Sequence, residues 1–376
     1  MRSASLKIPR WCVVVAMILL GVYACSKDDP TPGPACEPDP EPTPTNTSPV
    51  VFDLAQVPYD SLHTYNFFEG DMVQQMPVEG VLPYEPITPL FSDYAHKHRF
   101  VWMPDSVSAT YNADHKVLDF PIGTVMIKTF YYDHVQPTDA TKLIETRLIY
   151  LLDDGWHFAN YHWNEDQTAA TLNMDGGTVP IEWMDDNNIT RSTNYIIPTE
   201  ANCKTCHKVD DAPVPIGPKP QNLNKLFGYA DGSFNQLQKW KDVGYLSGDV
   251  PANIETVVDW EDETQPLELR VRAYLDMNCS HCHANERHCD YRAPRFAWSE
   301  TTNPDNLGIC VEPDNPPIPQ LTHIVNRGVV GRSVLHYRMN STEETVRMPL
   351  VGRTVNHDEA ILLVEQWINE LNPPCN

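Results

Sequence analysis

The chain has 376 residues, ample for two or three domains with sizeable cores, and 41% of them are apolar, so most of it is globular rather than disordered. Its net charge of −24 argues against nucleic acid as a partner, because a phosphate backbone would be repelled. An acidic surface keeps a protein soluble and steers encounters with basic partners.

At the N-terminus Arg2, Lys7 and Arg10 form a positive start, and Trp11 to Ala24 is an unbroken apolar or small run. That run is shorter than the about 20 residues a membrane span requires, so residues 1–24 read as an export signal. It ends in "LLGVYACSKDDP", which resembles a bacterial lipoprotein cleavage box with Cys25 as the lipidated residue, although Tyr23 is bulkier than that position usually holds. The "SKDD" that follows resembles the export tag of surface lipoproteins in Bacteroidetes. Residues 25–49 are rich in recurring proline and nearly without apolar side chains, giving an extended tether of about 3 Å per residue. The expectation is an outer-membrane lipoprotein, anchored to the membrane by lipid and facing the periplasm or the cell surface.

Residues 50–198 read as a β-rich, sandwich-like domain. "FPIGTVMIKTFYYD" (120–133), "LIETRLIYLL" (143–152) and "GWHFANYHW" (155–163) are β-branched or aromatic, with Gly and Asp-Gly between them. In the second of these, Ile144, Thr146, Leu148, Tyr150 and Leu152 fall on one face. "HKHR" (96–99) reads as a solvated edge rather than a metal site. His157 and His162 read as strand histidines with local partners.

The segment 199–262 opens with "NCKTCHKVD". Two cysteines at this spacing followed at once by histidine admit three readings: half a zinc site, a redox dithiol, or a covalent haem attachment. A second copy, "NCSHCHANE", follows 76 residues later, again with histidine directly after the second cysteine. Zinc needs neither adjacent histidine, and a redox dithiol uses a single pair. Two copies behind an export signal fit two covalently bound c-type haems best. On a helical turn Cys203 and Cys206 reach one porphyrin edge while His207 lies under the ring to bind iron; Cys279, Cys282 and His283 repeat the arrangement. His281, between the second pair, reads as a surface residue. Short helices are expected near 222–228 and 233–243, with Ser233 as a cap. Between 208 and 276 there is neither histidine nor methionine. The distal ligand of the first iron is therefore lent by the N-terminal domain, or is a lysine such as Lys208 or Lys219, or is absent.

Residues 263–376 have the order of a small cytochrome c. Pro266 starts a helix with Leu267, Val271, Tyr274 and Leu275 as its apolar stripe. A second helix has Asn356 as N-cap and Ile361, Val364, Ile368 and Leu371 as its stripe, with Pro373 beyond. Between them, Met348-Pro349 resembles the loop that offers a methionine sulfur to iron, with Met339 as runner-up. The fold class expected is thus α+β: the β-rich domain, then two small α-helical cytochrome c-like haem domains. A Cys289–Cys310 bridge would close a loop of about 20 residues and contribute roughly 3 kcal/mol. Cys36 is left to Cys375 by elimination.

From about residue 80 the chain resembles a family of dihaem c-type cytochromes of Gram-negative bacteria. The stretches that carry this are "PLFSDYA" (89–95), "FPIGTVMIKTF" (120–130), "ETRLIY" (145–150), "NCKTCH" (202–207), "PIGPKPQNLN" (215–224), "RAYLDMNCSHCH" (272–283) and "RMPLVGR" (347–353). The last two also resemble cytochrome-like domains appended to quinoprotein sugar dehydrogenases, but propeller repeats are not seen in the sequence. The resemblance implies two haems and electron transfer, read here as passing between exported redox partner proteins, and it implies nothing about a substrate. The alternative is a haem enzyme, peroxidase- or oxidase-like, or a ligand sensor, acting at the first haem.

Overall fold

Alternation of apolar and polar residues in the N-terminal half produces nine strands. In the computed structural model, which describes residues 48–375, they are β1 (Leu82–Pro83), β2 (His96–Trp102), β3 (Ala109–Thr110), β4 (Val125–Val135), β5 (Ala140–Leu152), β6 (Gly155–Trp163), β7 (Ala170–Leu172), β8 (Gly177–Met184) and β9 (Thr190–Ile197). The export signal, the lipidation residue Cys25 and Cys36 lie outside the described residues. Eight of the strands form one sheet in the order β1-β2-β4-β5-β6-β7, with the β8–β9 hairpin joined to β4. The strands of this sheet pair antiparallel, while β3 pairs in parallel with Leu246–Ser247.

The sandwich expectation is corrected here, because the faces of this sheet are not covered by a second large sheet. One face, carrying Phe100, Ile127, Leu148 and Tyr161, packs under the segment that contains Leu62, Tyr65 and Phe67. Tyr65 and Tyr161 bring their hydroxyls to 2.8 Å inside that core. On the other face, Trp183 and Tyr195 of the β8–β9 hairpin cover Phe130 and Tyr132. Leu223 and Trp240 cover Val101 farther along. Between these two covers the face meets the first Cys–His motif.

Two local expectations change with the register. Phe130 opposes Glu145 but Tyr131 opposes Leu143, so a bulge at Ile144 turns that residue to the second face, away from Thr146, Leu148 and Tyr150. "HKHR" is solvated only at its start: His96 is exposed, Lys97 and His98 are half-buried, and Arg99 is only 7% exposed.

Helices are few among the described residues. They are α1 (Glu200–Cys206), α2 (Pro220–Leu223), α3 (Gln236–Asp242), α4 (Leu267–Asn278), α5 (Val334–Met339) and α6 (Asp358–Glu370). The helix expected over 222–228 is cut short because Leu226–Tyr229 forms a strand with Gly232–Asn235. Asn235 rather than Ser233 caps α3, accepting from the backbone N–H groups of Leu237 and Gln238. His357 replaces Asn356 as the N-cap of α6, since the Asn356 side chain is engaged by Arg353 and Asn340. Val271, Tyr274 and Leu275 of α4 pack on Ile361, Val364 and Ile368 of α6, as their stripes predict.

The proposed Cys289–Cys310 bridge is corrected as well. Cys310 pairs with Cys375, and Cys289 is a buried free thiol. Cys289 donates its N–H to the carbonyl of Cys282 and so stays beside the second motif. Cys310 instead bonds to Val325, next to Arg327, whose N–H points at Cys375. Cys375 is thereby taken, which also removes it as a partner for Cys36. Residues 48–375 form one compact unit, a mixed α+β fold with a large antiparallel sheet.

Candidate functional site

Both motifs adopt the same turn. A capping box between Thr199 and Asn202 starts α1, which carries Cys203 and Cys206, and the N–H of His207 closes the turn on the carbonyl of Cys203 at 2.9 Å. The second motif follows the end of α4, where the N–H of His283 bonds the carbonyl of Cys279 at 2.9 Å. Each motif thus sets its two thiols and its imidazole along one turn of chain.

Both imidazoles are neutral at pH 7. Burial pushes His207 down to about 3 and His283 to about 4. The Nδ1 of His207 lies 2.9 Å from the carbonyl of Val214, so Nδ1 carries the proton and Nε2 presents its lone pair. The Nδ1 of His283 is buried without a partner. Phe158 and Phe296 place their rings edge-on at 5.4 Å from His207 and His283 respectively.

Each motif opens on its own recess. The one at the second motif has a volume of about 330 Å³ and is lined by Cys279, Cys282, His283, Met339 and Met348. The recess at the first motif is about 80 Å³ and is lined by Cys203, Cys206, His207, Arg147, Asn160 and Met174. Cys206, Tyr274, Asn278, His281 and Arg353 line both, so the two recesses adjoin.

The motifs also meet directly. The Sγ atoms of Cys206 and Cys282 are 4.0 Å apart, and a ring nitrogen of His281 lies within 4.8 Å of both. His281 is only 9% exposed, contrary to its reading as a surface residue, because the second turn faces the first. The contact between the thiols lowers Cys206 and raises Cys282 from the ordinary thiol range, and burial pushes Cys279 up to about 12.

No family model, curated protein or solved structure matches this chain.

The site therefore stands on its own chemistry, and a haem can be tested against it. Two thiols and a neutral imidazole at each motif are the donor set that covalent haem attachment uses. At the second motif the recess also lies within the roughly 300–1,000 Å³ of typical cofactor pockets. The first recess falls below that range, so the donor set fits there and the volume does not.

Met348 and its runner-up Met339 both reach the recess of His283. Met348 is held by its backbone, donating to the carbonyl of Arg338 and accepting from Arg353. Near His207 the sequence left three options. Lys219 is paired with the buried Asp276 at 3.1 Å, and Lys208 with Asp211 at 3.7 Å, which engages both lysines elsewhere. Met174 from the β-rich half lines that recess, with its Sδ accepting the N–H of Asn160 at 3.2 Å. Sequence reasoning missed Met174, Arg147, Asn160 and His281. Arg147 and Asn160 stand on strands that also carry Lys142, Glu145, Thr146, His157 and His162, so neither is singled out by its sequence neighbours.

Proposed function

We propose that this protein is a dihaem c-type cytochrome that passes electrons between exported redox partners, tethered to a membrane by lipid at Cys25. Cys203, Cys206 and His207 would hold one haem, and Cys279, Cys282 and His283 the other, with Met348 as a further residue that would bind the iron of the latter. The observation that carries this reading is the repeated turn, in which a buried neutral imidazole stands beside two thiols facing its own recess. The haem supplies a one-electron iron couple, and a methionine–histidine ligand pair raises its potential. The chain's part is to orient the imidazoles, exclude water and hold the two attachment points side by side, an arrangement suited to exchange between centres. Helices α4 and α6, packed around the second recess, are the cytochrome c-like element of this proposal.

A second reading has its own observation. Cys206, Cys282 and His281 present three donor atoms close enough to share one thiolate-preferring ion such as zinc. It leaves Cys203, Cys279, His207 and His283 without a role, which places it second.

Intact mass spectrometry and metal analysis of the chain from a haem-ligating host separate the two. The dihaem reading expects two covalent haem increments and two irons per chain; a colourless protein with one zinc would overturn it. Carbon monoxide added to the reduced protein then tests the carrier role. Two unreactive haems are expected, and binding at one would favour a ligand-binding or catalytic first haem.

A further inference from the structure

The loop 340–352 carries Met348 between α5 and α6, and one buried cation organises it. Met339, at the end of α5, is 7% exposed and packs in the core that α4 and α6 share. Met348 is half-buried and lies outside that core cluster, so its place rests on hydrogen bonds of its backbone. Its N–H donates to the carbonyl of Arg338 at 3.0 Å. Its carbonyl accepts from both Nε and Nη2 of Arg353, at 3.1 and 2.9 Å.

The same guanidinium closes the rest of the loop. Its Nη2 also donates to the carbonyls of Arg338, Met339 and Ser341, at 3.1, 3.0 and 2.8 Å. The first two belong to the last turn of α5, where carbonyls have no partner inside the helix. Nη1 donates to the carbonyl of Val355 at 3.2 Å and to the side-chain oxygen of Asn356 at 3.1 Å. Arg353 is 5% exposed, and these acceptors are all uncharged, whereas a buried charge is ordinarily paired with an opposite one. The next residues are fixed from the β-rich half: Asp93, 2% exposed, accepts from the N–H groups of Thr354 and Val355 at 2.6 and 3.0 Å.

Arg347 supplies the contrast. It is as deeply buried, at 8% exposed, but its Nε has no partner. Its other nitrogens lie 3.4 Å from the carbonyl of Thr342 and 4.0 Å from Glu344. It makes no hydrogen bond to either methionine among the described residues.

We propose that Arg353 is a positioning residue, which by its two bonds to the carbonyl of Met348 holds that sulfur at the recess of His283 while Met339 stays in the core. The inference rests on the dihaem reading with Met348 as an iron-binding residue. A guanidinium suits the task because its planar fork spans several carbonyls at once, which a lysine ammonium cannot reproduce.

The test is a titration of the oxidised full-length holoprotein with imidazole, followed by loss of the sulfur-to-iron charge-transfer band. In Arg353→Met the imidazole concentration that halves the band should fall about tenfold or more, the scale of losing a charge-assisted hydrogen bond. Arg353→Lys should recover part of that loss, and Arg347→Met should keep the wild-type value. Should Arg353→Met not fold, Arg353→Lys carries the test through a smaller fall in the same direction. Two covalent haems with a titration that neither substitution at Arg353 moves overturn the inference and leave the dihaem reading standing. An equal fall in Arg347→Met also overturns it, because any buried cation of the loop would then serve. A chain without covalent haem ends both.

Discussion

The two Cys–His motifs share one local turn and sit in different surroundings. The second is held between α4 and α6, with two methionines reaching an apolar recess of about 330 Å³. The first rides on the seven-residue α1 against a polar face of the sheet, over a recess of about 80 Å³. Identical spacing therefore places thiols and imidazole in the same way, while the surroundings give the two motifs recesses of different volume and polarity.

That comparison breaks most sharply on stability. If haem fills both recesses, losing it leaves cavities, and cavities cost about 24 cal/mol per Å³. The upper limits are about 8 kcal/mol for the second recess and about 2 kcal/mol for the first. Replacing Cys279 and Cys282 by serine should therefore lower the thermal midpoint far more than replacing Cys203 and Cys206, as calorimetry would read. Equal losses would mean that the recesses are not the haem seats.

Among the described residues only the second region is stapled, by Cys310–Cys375 across 65 residues of sequence. A loop of that length contributes about 4 kcal/mol. Cys310→Ala should lower the denaturation midpoint accordingly and leave the spectrum of the first haem intact. Cys289→Ala, by comparison, should be nearly as stable as wild type to reducing agent.

The methionines provide a spectroscopic contrast. Met348→Ala should abolish the sulfur-to-iron charge-transfer band of one oxidised haem; if Met339→Ala does so instead, the runner-up is the ligand. Met174→Ala should leave that band in place and open the other reduced haem to carbon monoxide. No change there means that Met174 is core filler, the commoner fate of a methionine.

The smallest effect concerns His357, stacked on Phe91 at 4.0 Å and bonded to the hydroxyl of Tyr274 at 3.0 Å. Burial pushes it down to about 3, against an ordinary value near 6.5. The unfolded chain binds the extra proton first, so this contribution is full above about pH 6.5 and is lost as pH falls toward 3. The slope of stability against pH in that window should flatten in His357→Gln. An unchanged slope would assign the acid sensitivity to other groups.

How far the sequence could be read depended on the range of each interaction. The Cys–x–x–Cys–His turns follow from one turn of backbone, and α4 and α6 follow from apolar stripes repeating every three or four residues. Strands β4, β5 and β6 were legible from alternation, and β6 matches its expected bounds. Ile144 fails because a bulge is a property of the pair of strands and not of either strand alone.

What only the tertiary structure decided are the meetings between distant segments. The amino-acid sequence by itself determined where thiols and imidazoles stand along the chain, because spacing within a turn is local geometry. It could not assign Cys310 to Cys375, bring Cys206 within 4.0 Å of Cys282, or bury His281 between them. Nor could it line Arg99, Lys128, Arg147 and Asn160 across four strands, since register is set by cores and bulges far from those residues. Contacts of that kind exist only once packing has chosen one alignment among many.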